Sequence, residues 1–438
     1  AVDFERARLL GLAIQARDKL ISLKPDDALA RRAIYRLGQN FQALTEYELA
    51  ATRYESFATR FPDAIASADD KDATRKVDAP TALYTATFFR RGLGQTDQSI
   101  RDANLFVRNY GGRKPYAEQA ASVFFDVGQI YEQHKDDARL KQHLVEYLAR
   151  FGKKGGIDRQ LVAEAKLGEI AWRESCTAPG GGENGVCLSI SRQHASTATS
   201  IASGAARLSI RHPRRGASKL AACGPETKSR ITVYDRRKPQ LAEALRHFDA
   251  ALSLWKNGAA ISALPAELDD AARESRTTTM TYYAAAAMMA RGDLLYEQLL
   301  QMRVPAGLHF DPRHRRENEA AQHALTAFMA QKSEKLAETQ KVYRSVIQFK
   351  NAHYAIAAAA RIGQLYQDFA NGLYTSDVPA PPPTPPGLAS DEWGQMFRNA
   401  YCDQISDVAG PLDDKAIEGL SQCLRKSTEL NWFNEWSQ

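Results

Sequence analysis

The 438-residue sequence contains no apolar run of about eighteen residues, so no transmembrane helix is predicted. Patterns that alternate polar and apolar residues are also scarce, and the exception is the short segment Arg230–Tyr234. Because strands that are half buried need such alternation, we predict an all-α fold with very little strand.

Motifs of the common catalytic classes are missing as well. The sequence has no HExxH metalloprotease motif, no GxSxG nucleophile elbow and no CxxC pair. We therefore expect no catalytic residue, no metal site and no cofactor. A hydrolase accessory domain stays open as an alternative, because some lytic transglycosylases join an α-superhelix to a catalytic lobe with a single glutamate. Glu174 and Glu274 lie in helical sequence and are interpreted as surface residues.

The sequence begins at Ala1, with neither an initiator methionine nor a signal peptide. We expect that a leader has been removed, as in a processed lipoprotein, or that this is a piece of a longer chain.

Five cysteines are present, at positions 176, 187, 223, 402 and 423. Two disulfides and one free thiol would fit this number and would indicate an oxidising compartment. A bond among Cys176, Cys187 and Cys223 would staple a glycine-rich loop, and Cys402 and Cys423 could meet across a helical hairpin. The alternative is five inert thiols.

The net positive charge of the chain comes from one segment. The chain has a formal net charge of +6, yet Val186–Lys238 alone carries eleven Lys and Arg against two Asp and Glu. This basic insertion predicts a polyanion-binding module as an alternative function, with Arg211, Arg214, Arg215, Arg236 and Arg237 as the contacts. Only Tyr234 is interleaved as an aromatic, so a stacking platform for nucleic acid is missing. An acidic protein, lipid headgroups or an anionic wall polymer would serve equally well as the polyanion. A solvated loop explains the charge equally well.

A helical repeat is clearest between Arg32 and Pro62. Measured from Gly38, Phe41, Ala50, Tyr54 and Pro62 follow at 3, 12, 16 and 24 residues. This spacing of small, aromatic and proline positions resembles the tetratricopeptide repeat (TPR) family, and similar first-helix signatures surround Gly128, Gly168 and Gly363. The resemblance implies an α-solenoid of antiparallel helix pairs.

The breaks in the repeat pattern predict five segments. These are N-terminal TPR-like repeats at 1–175, a Cys-containing insertion at 176–238, long-helix repeats at 239–375, a Pro-rich linker at 376–390 and a C-terminal helical cap at 391–438. Periodicity predicts long helices near 266–301 and 315–350, and two short helices near 392–406 and 413–429. Trp432 and Trp436 are four apart and would share a helix face.

Two strings resemble a narrower group, the TPR proteins of myxobacterial cell-envelope gliding-motility machinery. They are CGPETKSRITV at 223–233 and NWFNEWS at 431–437. The resemblance implies a scaffold that is periplasmic or associated with the outer membrane and that binds the protein partners of an envelope complex. It carries over no catalytic residue.

The leading functional prediction is therefore a non-catalytic protein–protein interaction scaffold. Its groove would be lined by the first helix of each repeat. The predicted partner-binding residues are Tyr35, Asn40, Arg90, Gln129 and Gln364 in the groove, with Trp432 and Trp436 at the C-terminal end either contacting a partner or capping the core.

Overall fold

The computed structural model describes residues 1–25, 27–66, 76–191, 223–224, 230–311 and 313–437. Within these ranges the chain is mostly α-helical with two short strands, which confirms the predicted all-α class. It divides into two compact units, Ala1–Ala163 and Glu164–Gln438. This division is coarser than the five predicted segments. No helix among the described residues is long and apolar enough to cross a membrane.

Unit 1 is a succession of helices in which each packs on the next from α2 to α8. Aspartates at the N-caps of α3, α5 and α8 accept hydrogen bonds from backbone N–H groups of the first turn. The helices are α1 (Val2–Arg6), α2 (Leu10–Leu23), α3 (Ala28–Ala43), α4 (Tyr47–Arg60), α5 (Ala79–Gly92), α6 (Thr96–Tyr110), α7 (Ala117–Gln133) and α8 (Asp137–Arg150), followed by α9 (Ile157–Ser175), within which the boundary between the units falls.

Close contacts join the helices of unit 1 in pairs. A Cβ on Gly38 of α3 would lie 2.5 Å from the ring of Tyr54 on α4, so only glycine admits that ring. On α6, Ser99 donates a hydrogen bond to the backbone oxygen of Thr87 on α5. Gly128 of α7 faces Leu140 and other side chains of α8. The first helices of the three pairs are thus α3, α5 and α7.

Unit 2 repeats this arrangement with longer helices. They are α10 (Lys238–Trp255), α11 (Ala259–Ser262), α12 (Asp270–Gln301), α13 (Arg315–Ile347), α14 (Ala352–Tyr374) and α15 (Ser390–Glu429). Gly168 of α9 receives the Phe248 ring of α10, Gly292 of α12 receives the Tyr343 ring of α13, and Gly363 of α14 contacts α15. The first helices here are α9, α12 and α14. We call the side of a unit that is formed by its first helices the first-helix face.

The C-terminal prediction was wrong in two respects. Instead of two short helices, α15 is one helix with Pro411 inside it. Its buried residues Cys402, Ile405, Ala409, Ala416 and Cys423 form one stripe that continues past the proline, and packing of this stripe holds the helix together. The helix ends at Glu429, so Trp432 and Trp436 do not share a helix face.

The insertion contains the predicted strand and a partner for it. Strand β2 (Arg230–Val233) pairs antiparallel with β1 (Leu188–Ser191), with Leu188 opposite Val233. The alternating pattern therefore identified β2. The sequence of β1, Leu-Ser-Ile-Ser, alternates in the same way but was not recognised as a strand.

Two disulfides form, and one thiol stays free, as the number of cysteines predicted. Cys176 bonds to Cys187 and Cys223 bonds to Cys402. Cys423 is free, and burial raises the pKa of its thiol to about 11. The predicted meeting of Cys402 and Cys423 was wrong, because both lie on the single helix α15.

Candidate binding cleft

An open cleft lies on the first-helix face of unit 1, between α5 and α7. Tyr84 and Phe88 are one helical turn apart on α5 and therefore project from the same side. The lining residues are Tyr84, Thr87, Phe88, Arg91, Val123 and Asp126.

Two aromatic side chains of the cleft are exposed to solvent. Phe88 is 57% exposed and Tyr84 is 39% exposed, although both belong to a helix whose other face is fully buried. Exposed aromatics that adjoin one another are typical of protein interfaces. The cleft is open to solvent, and its cavity volume is only about 30 Å³. Small-molecule pockets enclose roughly 300–1,000 Å³, so this shallow cleft is better suited to a protruding side chain of a polypeptide.

One cation and one carboxylate form the polar side of the cleft. Arg91 lies 3.9 Å from Asp126 and 5.6 Å from the centre of the Phe88 ring. Burial raises the pKa of the Asp126 carboxyl, and the charges of Arg91 and Arg159 oppose that rise. Across the described ranges, no hydrogen bond to the Arg91 guanidinium is found, so its N–H groups can donate to a partner's carboxylate.

Three predicted groove residues lie inside unit 1. Tyr35, Asn40 and Arg90 are all buried. Asn40 accepts a hydrogen bond from Arg17, and Tyr35 packs against the Phe57 ring. Little of their surface is therefore left for a partner, and their predicted binding role stays a prediction.

Arg90 instead links three consecutive helices. It donates two hydrogen bonds to the Glu55 carboxylate of α4, at 2.5 and 2.9 Å. Asp102 of α6 lies close by, and burial together with the Glu55 charge raises the pKa of Asp102 to about 8. This cluster packs on the buried face of α5 and thereby positions Phe88 and Arg91 on the opposite face.

The remaining predicted contacts are divided between surface and interior. Gln129 is exposed on α7. Gln364 is half-buried on α14 and accepts a hydrogen bond from Arg361 at 2.7 Å. Trp432 is 49% exposed, whereas Trp436 packs against the buried residues Ile356, Ala360 and Cys423. Trp436 thus covers core, and Trp432 leaves surface for a contact.

The basic residues proposed for polyanion binding are only partly described. Arg211, Arg214 and Arg215 lie outside the described residues. Arg236 is committed internally, because its guanidinium forms a 2.6 Å ion pair with Glu297 and lies 3.4 Å from the centre of the Trp172 ring. Arg237 is exposed and donates to the backbone oxygen of Glu174. Of this described pair, Arg237 alone is open to a polyanion.

Sequence reasoning missed Tyr84, Phe88 and Arg91, which form the cleft. A signal was available, because the aromatic pair with a spacing of four residues is followed by arginine. The weakness of the repeat signature around α5 concealed which of its residues face outward. Among the described residues, no group of three or more His, Cys, Asp or Glu side chains could hold a metal ion.

Comparison with protein-family models gives no match to this chain, and no curated protein matches it significantly.

Proposed function

We propose that the chain is a non-catalytic scaffold of the TPR-like solenoid kind, which holds partner proteins through the cleft of unit 1. The observation that carries this proposal is the exposed pair Tyr84 and Phe88 beside Arg91, on the face formed by first helices. The partner segment has a large apolar side chain that covers Phe88 and a neighbouring carboxylate that binds Arg91.

The repeated contact between helices supports the solenoid part of the proposal. Gly38, Gly168 and Gly292 each receive an aromatic ring from the second helix of their pair. This is the packing expected from the small and aromatic positions of a TPR, and it recurs where insertions lengthen the repeat.

An envelope location is part of the same proposal. Two disulfides form among the described residues, and such bonds persist in oxidising compartments such as the periplasm. The resemblance of the segments at 223–233 and 431–437 to gliding-motility TPR proteins favours an envelope complex of that kind, with a periplasmic or outer-membrane-associated scaffold.

The test compares two exposed apolar side chains on different faces. Phe88 lies in the cleft, and Val145, which is 52% exposed on α8, lies outside it. Immobilised wild-type, Phe88→Ala and Val145→Ala chains are incubated with an envelope extract, and retained proteins are quantified by mass spectrometry. We expect proteins that the wild type and Val145→Ala retain and Phe88→Ala loses at least tenfold. An identical set on all three chains would contradict the proposal.

A further inference from the structure

The loop closed by the Cys176–Cys187 disulfide ends in a tight two-residue turn. The backbone N–H of Glu183 donates to Val186 O at 2.9 Å, and the N–H of Val186 donates back to Glu183 O at 3.0 Å. The two central residues have positive φ, 49° at Asn184 and 85° at Gly185. Asn-Gly is the preferred pair for such a type I′ turn, so the sequence itself fixes this conformation.

Three donors from separate elements bind the carbonyl groups of this turn. The Trp172 indole N–H donates to Gly185 O at 2.7 Å, and Arg236 Nη2 donates to the same oxygen at 3.1 Å. Arg361 Nη2 donates to Asn184 O at 2.8 Å. Two consecutive backbone carbonyls thus accept hydrogen bonds from one indole and two guanidinium groups.

A carboxylate completes the site and orients its donors. Glu297 accepts the backbone N–H of Cys187 at 2.7 Å and also binds Arg236 through both carboxylate oxygens. Asp293 orients Arg361 in turn, because the Arg361 Nε donates a hydrogen bond to the Asp293 carboxylate at 3.1 Å. These ion pairs are buried, and they fix the orientation of the two guanidinium groups that donate to the turn.

The site also selects glycine at its centre. A Cβ on Gly185 would lie 3.2 Å from a carboxylate oxygen of Asp293, and the positive φ already disfavours other residues. Trp172, Glu297 and Arg361 belong to α9, α12 and α14, which are the first helices of unit 2.

We propose that the first-helix face of unit 2 is a binding site for a glycine-containing β-turn with two consecutive free carbonyls, and that the chain's own Glu183–Val186 turn occupies it. The inference rests on the proposed function, because it assigns to the chain's own turn the first-helix face of unit 2, which the scaffold would otherwise offer to partner proteins. The docked turn closes this face of unit 2. Partner binding is left to the open cleft of unit 1.

Two valine substitutions in the same loop separate docking from backbone strain. Gly185→Val places a side chain against Asp293 and displaces the turn. Gly180→Val is the matched control, because Gly180 also has positive φ (74°) but no neighbouring atom within 4 Å of the position that a Cβ would take. If Gly185→Val fails to fold, a full-length chain with residues 183–186 replaced by Gly-Ser-Gly-Ser takes its place.

The probe is a fluorescent synthetic peptide with the sequence of residues 176–187, oxidised to its disulfide. Fluorescence anisotropy should show that it binds the displaced-turn chain at least tenfold more tightly than wild type or Gly180→Val, where the tethered turn competes at high effective concentration. The reduced, alkylated peptide should bind at least tenfold more weakly than the oxidised form, because it is no longer preorganised.

Hydrogen exchange in α12 supplies the second readout. Faster exchange around Asp293 and Glu297 in the displaced-turn chain, together with peptide binding, supports the proposal. Faster exchange without peptide binding overturns it, because the turn would then only contribute to internal packing and would not occupy a binding site. Equal peptide binding by all the chains, or no change in either readout, overturns it as well. The measurement needs no partner protein and does not involve Phe88, so its failure leaves the proposed function untouched.

Discussion

The two first-helix faces of this protein differ in how their charged groups are used. In unit 1 the cleft exposes Phe88 and Tyr84, and the side chains of its charged pair, Arg91 and Asp126, are 30% and 36% exposed and lie 3.9 Å apart. In unit 2 Asp293 and Arg361 are buried in direct contact and are covered by the chain's own turn. Under the proposed function, the same kind of helix face serves recognition in unit 1 and internal cohesion in unit 2. The outcome depends on whether an insertion supplies an internal ligand.

The largest expected effect lies in unit 2. Asp293→Ala removes the acceptor of Tyr343 and Arg361 and leaves the guanidinium buried without its partner. Breaking a buried pair from one side costs about 3–5 kcal/mol of unfolding free energy. Urea denaturation followed by circular dichroism measures it. A loss below about 1 kcal/mol would show that the two faces do not differ in this way.

The next effect concerns the glycine that joins a helix pair. In Gly292→Ala the new methyl carbon would lie 2.5 Å from the Tyr343 ring, so the pair must separate. Overpacking of this kind costs about 1–3 kcal/mol. The control is Gly394→Ala on α15, where no atom lies within 4 Å of the added carbon, and where alanine should stabilise the helix by up to about 1 kcal/mol. Thermal melts of both variants should shift in opposite directions.

The stability of the protein should depend on pH because of Asp102, which belongs to the buried cluster next to the unit 1 cleft. The pKa of Asp102 is raised from 3.8 to about 8, so the folded state holds a proton that the unfolded state releases above about pH 4. By linkage, this group lowers stability as pH rises from about 4 to about 8. Asp102→Asn should remove that slope and be more stable than wild type at pH 8, by about 1–3 kcal/mol.

The matched control for this slope is Asp97→Asn, on the exposed side of the same helix. Melting temperatures between pH 4 and pH 8 should show the wild-type slope in this variant. Persistence of the full slope in Asp102→Asn would mean that another group is responsible.

The smallest effect on stability is expected in the open cleft. Asp126→Ala makes the same chemical change as Asp293→Ala, yet its partner Arg91 stays in contact with solvent. We expect a change within about 0.5 kcal/mol, because the 3.9 Å contact with Arg91 is long and the cost of burying the carboxylate offsets it. Urea denaturation of the Asp126→Ala and Asp293→Ala variants side by side measures the difference between their unfolding free energies. Equal losses in the two variants would refute the distinction between an open face and a closed one.

The sequence predicted those parts of the fold that local patterns encode. Gly38 and Tyr54 do meet across a helix pair, and the strand after Arg230 forms, because spacing and alternation are local properties. The continuity of α15 through Pro411 was missed, since burial of its apolar stripe outweighs the local preference of proline. The Cys223–Cys402 bond was missed because it joins residues 179 positions apart.

The candidate sites were harder to predict than the fold. Nothing in the neighbours of Arg90 and Arg236 along the sequence indicates that each is paired with a glutamate on another element. Whether a charged side chain faces solvent or a buried partner is decided by packing. The exposed aromatics of α5 were concealed for the same reason.

The Cys223–Cys402 disulfide has a mechanical consequence. It bridges 179 residues, which at about 3.6 Å per extended residue would span roughly 640 Å when fully stretched. This length of chain cannot extend while the bond is intact. A protein stretched from its two ends would transmit the load through this covalent bond instead of unravelling α10 to α14. Under tension, the greater part of unit 2 is therefore shielded from extension until the bond is reduced.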